Sequence, residues 1–156
     1  MMTAKRTRVV EGDILEVKIG DRLAYLQYVG KHPHYGEAIM VSPTLHDRRP
    51  AITKELLARS YTTFYPVTAA ISHQLVEVIG RVAPTPLPRR LRRPGAISGR
   101  QIKTWIIEGE TGEKVVSKLT EEELRLPIAT IWNHAYLVQR LQEGWDPIQE
   151  TIDHDQ

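Results

Sequence analysis

Gly12-Asp13-Ile14-Leu15-Glu16-Val17-Lys18-Ile19, followed by Gly20-Asp21 and then Leu23-Ala24-Tyr25-Leu26-Gln27-Tyr28-Val29, is the stretch whose reading decides the fold class. Leu15, Val17 and Ile19 alternate with Glu16 and Lys18, which is the period of a strand with one buried face. Gly20-Asp21 supplies a turn. Residues 23 to 29 are apolar or aromatic at nearly every position, which suits a second strand paired with the first as a hairpin and covered on both faces. Cover on both sides requires packing layers above and below the sheet. The expected fold is therefore α+β: a mainly antiparallel, strongly bent β-sheet of six or more strands, or a partial barrel, with a short C-terminal helix.

Outward from the hairpin, Glu37 to Val41 reads as a third strand stopped by Ser42-Pro43, because proline cannot donate to a ladder. Thr53 is placed to cap a short helix over Lys54 to Arg59. Thr62 to Thr68 and Leu75 to Val82 have strand composition. Residues 84 to 100 hold four prolines and the run Arg89-Arg90-Leu91-Arg92-Arg93, and read as an extended surface loop. Lys103 to Ile107 and Lys114 to Val116 flank a polar turn and predict another hairpin. Thr120-Glu121-Glu122-Glu123 is a capping box whose helix Pro127 cuts short. Ile128 to Trp132 reads as a last strand, and Asn133 caps a helix from His134 to Glu143 with Val138 and Leu141 inward and Gly144 as its stop. The organisation expected is a flexible basic N-terminus over residues 1 to 8, one globular domain over 9 to 146, and a tail over 147 to 156.

The chain has 156 residues, 41% hydrophobic and 26% charged, enough to bury a core without disulfides or a structural metal. It contains no cysteine, which excludes thiol nucleophiles, iron–sulfur clusters and cysteine zinc sites. With no secretory signal pattern and no apolar run near 18 residues, a cytoplasmic protein that does not cross a membrane is expected. Net charge is +2, yet residues 1 to 107 carry 17 Lys and Arg against 8 Asp and Glu, and residues 108 to 156 carry 4 against 11. Such segregation either draws the two parts together within the fold or creates opposed potentials for a partner.

Chemistry is sparse. His32-Pro33-His34 offers two ligands where zinc needs three, so no metal site and no cofactor is expected. No G-x-S-x-G elbow, phosphate loop or dinucleotide fingerprint occurs, so an enzyme is not expected. The arginine run is the one conspicuous cluster. Arg89, Arg90, Arg92 and Arg93 are candidates for a surface that receives an acidic partner, with Trp105 or Tyr65 as apolar anchors. The competing reading ties the same arginines to Glu121, Glu122 and Glu123 inside the folded chain.

The order of four segments resembles the immunity protein 26 family of bacterial polymorphic-toxin systems. These are the Gly12 to Gly30 hairpin; Tyr61 to Gly80 with its ending Val76-Glu77-Val78-Ile79-Gly80; the Pro84-Thr-Pro86-Leu-Pro88 loop; and Ile128-Ala129-Thr130-Ile131-Trp132 with the helix to Leu141. The chain departs from the family's pattern at Leu15, where an aromatic is frequent; at Leu75 or Val76, where a tryptophan is; and at Asn133, where an acid commonly follows the tryptophan. The resemblance implies a small non-enzymatic protein that binds a protein toxin and neutralises it. Two other readings stand beside it: a barrel-like module binding nucleic acid through the arginine loop, and a hydrolase with a dispersed site.

Overall fold

The computed structural model describes residues 8–149. The expected N-terminal segment, apart from Arg8, and residues 150–156 of the expected tail lie outside the described residues. A five-stranded antiparallel sheet forms from β1 (Asp13–Ile19), β2 (Arg22–His32), β3 (Gly36–His46), β4 (Tyr61–Phe64) and β5 (Val76–Arg81), in the order β4-β3-β2-β1-β5. A three-stranded sheet has the order β10-β9-β6, from β6 (Leu91–Pro94), β9 (Trp105–Gly109) and β10 (Gly112–Val116), and β7 (Ile97–Ser98) pairs with β8 (Gln101–Ile102). The α+β, mainly antiparallel architecture follows the sequence reading, and among the described residues the strands divide among separate sheets with no closed barrel.

Strand β2 is covered on both faces. Leu15, Val17, Leu26, Ile39 and Val41 pack on one side against Leu137 and Leu141 of helix α3 (His134–Glu143) and against Trp132 and Trp145. Ile14 and Tyr25 pack on the other side against Leu56 and Leu57 of a 3-10 turn at Lys54–Leu57. Each fully buried leucine contributes about 1.5–3 kcal/mol. Asn133 caps α3 by accepting from the Tyr136 amide at 2.8 Å, and Gly144 closes it in the left-handed region at φ 67°. Leu137, one turn before Leu141, is the buried residue where Val138 was expected; Val138 is only partly covered.

Five further expectations are corrected. Strand β3 runs on through Pro43, because the register breaks between the Tyr25–Ser42 and Leu23–His46 pairs and no ladder bond is asked of the proline. Thr53 makes no side-chain cap. The strand expected over Thr62 to Thr68 ends at Phe64, and helix α1 (Val67–Ser72) follows Pro66. Its exposed amide at Thr68 is capped across the sheet by Glu37, whose carboxylate accepts from Thr68 N at 3.1 Å and from its hydroxyl at 2.6 Å. Residues 128–132 make isolated bridges at Ile128 and Ile131 in place of a strand. Pro147, placed in the tail by the sequence, is buried and begins a 3-10 turn.

Candidate functional site

Only the second half of the arginine run leaves the loop; Arg89 and Arg90 remain in it. Residues 91–94 are β6, the edge strand that pairs with β9, and Pro94 sits at its last position, where the missing donor costs least. The strand is anchored at both approaches. At the start of the proline-rich segment the fully buried Gln27 amide donates to the carbonyls of Gly12, Val82 and Ala83 and accepts from the Thr85 hydroxyl. Beyond the strand, Gly95 and Ala96 donate to the carbonyl and hydroxyl of Thr104 at 2.8 and 2.7 Å.

Side chains alternate along β6, so Arg92 and Arg93 face opposite ways, and Arg89 and Arg90 precede the strand; the four arginines meet four different environments. Arg92 points inward with no exposed surface. Its guanidinium stacks 4.3 Å from the centroid of Trp105 and donates to the carbonyls of Leu124 (3.2 Å) and Pro147 (2.7 Å). Arg92 thus ties the short helix α2 (Glu121–Leu124) and the C-terminal turn to the second sheet. Arg93 points to the opposite face, between Glu108 (3.2 Å) and Glu113 (3.0 Å). Arg90 reaches Glu122 at 3.0 Å and stands 3.8 Å from Glu123. Arg89 is 81% exposed and only 3.8 Å from Glu110. Trp105 and Tyr65, expected as anchors for a partner, are each 1% exposed and serve as core side chains instead.

Two cross-strand rows define the face of this sheet that carries Arg93, its Leu91 end buried against Val29, Ala38 and Phe64 of the first sheet. Glu113, Glu108 and Leu91 form one, and Val115, Ile106 and Arg93 the next. Val115 is 67% exposed, so the face presents an apolar spot beside ion pairs. Tyr35, from the β2–β3 turn, donates to Glu108 at 2.6 Å and ties the two sheets together. Burial, with Glu108 adding to it, pushes the Tyr35 hydroxyl up to about 12, so it stays a donor. Next to the face, Arg89, Arg90, Glu110 and Lys114 border a shallow basin of about 400 Å3.

Glu123 is the hub beneath Arg90. Its carboxylate accepts from the Thr120 amide at 2.9 Å, completing the capping box, and takes Lys114 at 3.0 Å. The Thr120 amide, then Lys114, hold it below the ordinary carboxylate range against the opposing effect of burial. Across Arg89, Arg90, Arg93 and Lys114, four cations face five carboxylates, those of Glu108, Glu110, Glu113, Glu122 and Glu123. The basic patch read from the sequence is therefore a surface of mixed charge. Glu122 and Glu123 take the role the internal-pairing reading gave them, and the acids of the β9–β10 hairpin, which belong to the acidic stretch 108–156 but were not singled out as partners, hold Arg93.

The other sequence candidates are dispersed. His32 and His34 stand at the β2–β3 turn, and among the described residues no group of three metal-ligating side chains forms. Burial first, and the neighbouring His34 second, hold the His32 ring below its ordinary value, and its Nδ1 accepts from the amides of His34 and Tyr35. His134 Nδ1 lies 2.8 Å from the Tyr65 hydroxyl and shares a cleft of about 610 Å3 with Ser72, but no hydrogen bond joins that serine to the ring. Among the described residues no helix is long and apolar enough to cross a membrane. Comparison with models of known families, with curated proteins and with solved structures gave no match to this chain.

Proposed function

We propose that this chain is a small binding protein whose partner is another protein, and that it neutralises a toxin by covering it, the role implied by the resemblance to immunity protein 26. The observation that carries the protein partner is the internal neutralisation of the arginine run. A phosphate backbone would have to displace Glu108, Glu113, Glu122 and Glu123 from Arg90 and Arg93, and Arg92 is out of its reach. A protein surface asks for what is present: a preordered face with an apolar spot at Val115 and alternating charges around it. Preorder matters because Gln27 and Thr104 fix the segment beforehand, so little ordering entropy is lost on binding.

The test pairs the chain with any candidate toxin domain found encoded beside its gene, scoring growth rescue and co-elution. Protection and a stable complex are expected, and both are lost in Arg89→Glu/Val115→Glu, two exposed changes that leave the fold intact. A folded wild-type chain that neither protects nor co-elutes refutes the toxin reading. Affinity for generic RNA or DNA that falls steeply with salt refutes the protein-partner reading and restores nucleic acid in its place.

A further inference from the structure

Of the edges of the two larger sheets, those of β4 and β6 are covered. The segment after α2 crosses between them: its Trp132 amide donates to the Phe64 carbonyl at 2.8 Å, and its Pro127 carbonyl accepts from the Arg92 amide at 2.9 Å. Strand β5 has β1 on one side and no strand on the other. The ladder decides which of its backbone groups point outward. The two-residue turn Gly20-Asp21 makes Ile19–Arg22 a hydrogen-bonded pair, so by alternation Val17 and Leu15 bond to β2 while Glu16 and Ile14 bond to β5. Val76 and Val78, opposite Val17 and Leu15, therefore turn their N–H and C=O groups away from β1. Among the described residues none of these groups has a hydrogen-bond partner. Such an edge is a template for pairing with another extended chain.

The cleft of about 610 Å3 follows this edge from Leu75 to Val78, with Ile71 and His134 among its lining and Leu75 41% exposed. Charge marks its middle. Glu16 and Glu77 stand directly across from each other on β1 and β5. Arg49 donates to Glu16 at 2.8 and 3.0 Å, and Tyr25 donates to it at 2.8 Å. Arg49 is thereby committed to Glu16, and Glu77 acts on it only at a distance. Glu77 is exposed, and among the described residues it forms no ion pair, although Lys18 lines the same cleft. A second copy paired through Val76 and Val78 would set Glu77 against Glu77, which disfavours self-association by this edge. A strand carrying a cation at that position completes the row instead. We propose that the β5 edge binds an extended peptide of apolar–basic–apolar pattern, added as an antiparallel strand. Its two apolar residues exchange backbone hydrogen bonds with Val78 and Val76, and the basic residue between them pairs with Glu77. This site is independent of Arg89 and Val115.

The probes are the peptide Ser-Val-Lys-Val-Ser capped at both ends, its analogue with Glu in place of Lys, and an analogue N-methylated at both valines, which lacks the donors the edge would receive. Each is titrated into the 15N-labelled chain. The lysine peptide is expected to move the Val76 and Val78 amide signals saturably and to bind about fivefold more tightly than the glutamate peptide, the upper range for an opposite-charge pair across two strands. N-methylation should abolish binding. Glu77→Lys, at an exposed position, should reverse the preference between the two charged peptides. Val78→Pro should abolish binding, because it removes an outward donor and none from the ladder with β1. If that variant fails to fold, the N-methylated peptide and Glu77→Lys still decide. Val76 and Val78 amides already protected from exchange in the free chain, or self-association that moves the same signals, would show the edge occupied by the chain itself and overturn the proposal. So would the absence of a saturable shift, undiminished binding of the N-methylated peptide, or a preference that Glu77→Lys leaves unchanged.

Discussion

Replacing Arg92 with alanine tests the inward turn of the arginine run directly. The guanidinium donates to the Leu124 and Pro147 carbonyls and stacks on Trp105, all without solvent exposure. Hydrogen bonds from a charged donor contribute about 1.5–3 kcal/mol each, and a desolvated cation–π contact about 2 kcal/mol. Against these stands the cost of having taken the charge out of water, several kcal/mol, which the substitution recovers. Truncation also leaves two carbonyls unpaired and a gap over Trp105. The net loss expected is about 3–5 kcal/mol, the two charge-assisted hydrogen bonds and the cation–π contact less the desolvation recovered. At about 2–4 °C per kcal/mol for a domain of this length, the melting temperature should fall by roughly 6–20 °C. Arg89→Ala is the control, since an 81% exposed side chain should change stability by no more than about 0.5 kcal/mol. Thermal unfolding followed by circular dichroism and tryptophan fluorescence measures both. If Arg92→Ala melts within 2 °C of Arg89→Ala, on the order of one kcal/mol or less, then Arg92 does not hold the C-terminal turn to the sheet and the reasoning fails.

Gln27→Leu should cost about 2–4 kcal/mol by denaturant titration, because it takes the Gln27 partner from the Val82 and Ala83 carbonyls and the Thr85 hydroxyl, and hydrogen exchange should quicken around residue 82. Gly12→Ala should cost more than about 1 kcal/mol, since a Cβ there would stand 2.6 Å from the Val82 carbonyl on a backbone with φ +96°. Stability should fall with pH in two stages. Burial holds the His32 and His134 rings below the ordinary 6.5, so the unfolded chain takes up protons first and stability is lost as pH drops through that value. Glu16, held down chiefly by Arg49, and Glu123, held down chiefly by the Thr120 amide, lose their contribution as pH falls below the ordinary carboxylate value of 4.5. A stability profile flat between pH 7 and pH 5 would contradict the first stage.

What the sequence made legible was local. The β1–β2 hairpin, the Thr120 capping box and the Asn133 to Gly144 helix each carry their signal within about twenty consecutive residues, and each formed as expected. Two of the misses, helix α1 and the inward-turned Arg92, share one physical cause, a partner far along the chain. Helix α1 has β-branched composition and no local cap, and the group that caps it, Glu37, lies 31 residues earlier on the neighbouring strand. Strand β6 was hidden by its prolines, three of which precede it, while the alternation that makes it a strand is written in arginines. Period-two alternation is looked for between apolar and polar residues, so Leu91-Arg92-Arg93 shows none. An arginine turned inward is legible only with what receives it, and for Arg92 these are Trp105, Leu124 and Pro147, the last 55 residues away. The charge imbalance along the chain was the nearest sequence signal. It set a basic run ahead of an acidic final third, and the fold consumes both: Arg90 and Arg93 are spent on Glu108, Glu113, Glu122 and Glu123. Basic clusters therefore cannot be read as partner sites until the acids of the same chain are placed, and here that placement leaves Arg90 and Arg93 paired and Arg92 buried, so the proposed interface rests on exposed Arg89 and on Val115, the most exposed large apolar side chain among the described residues.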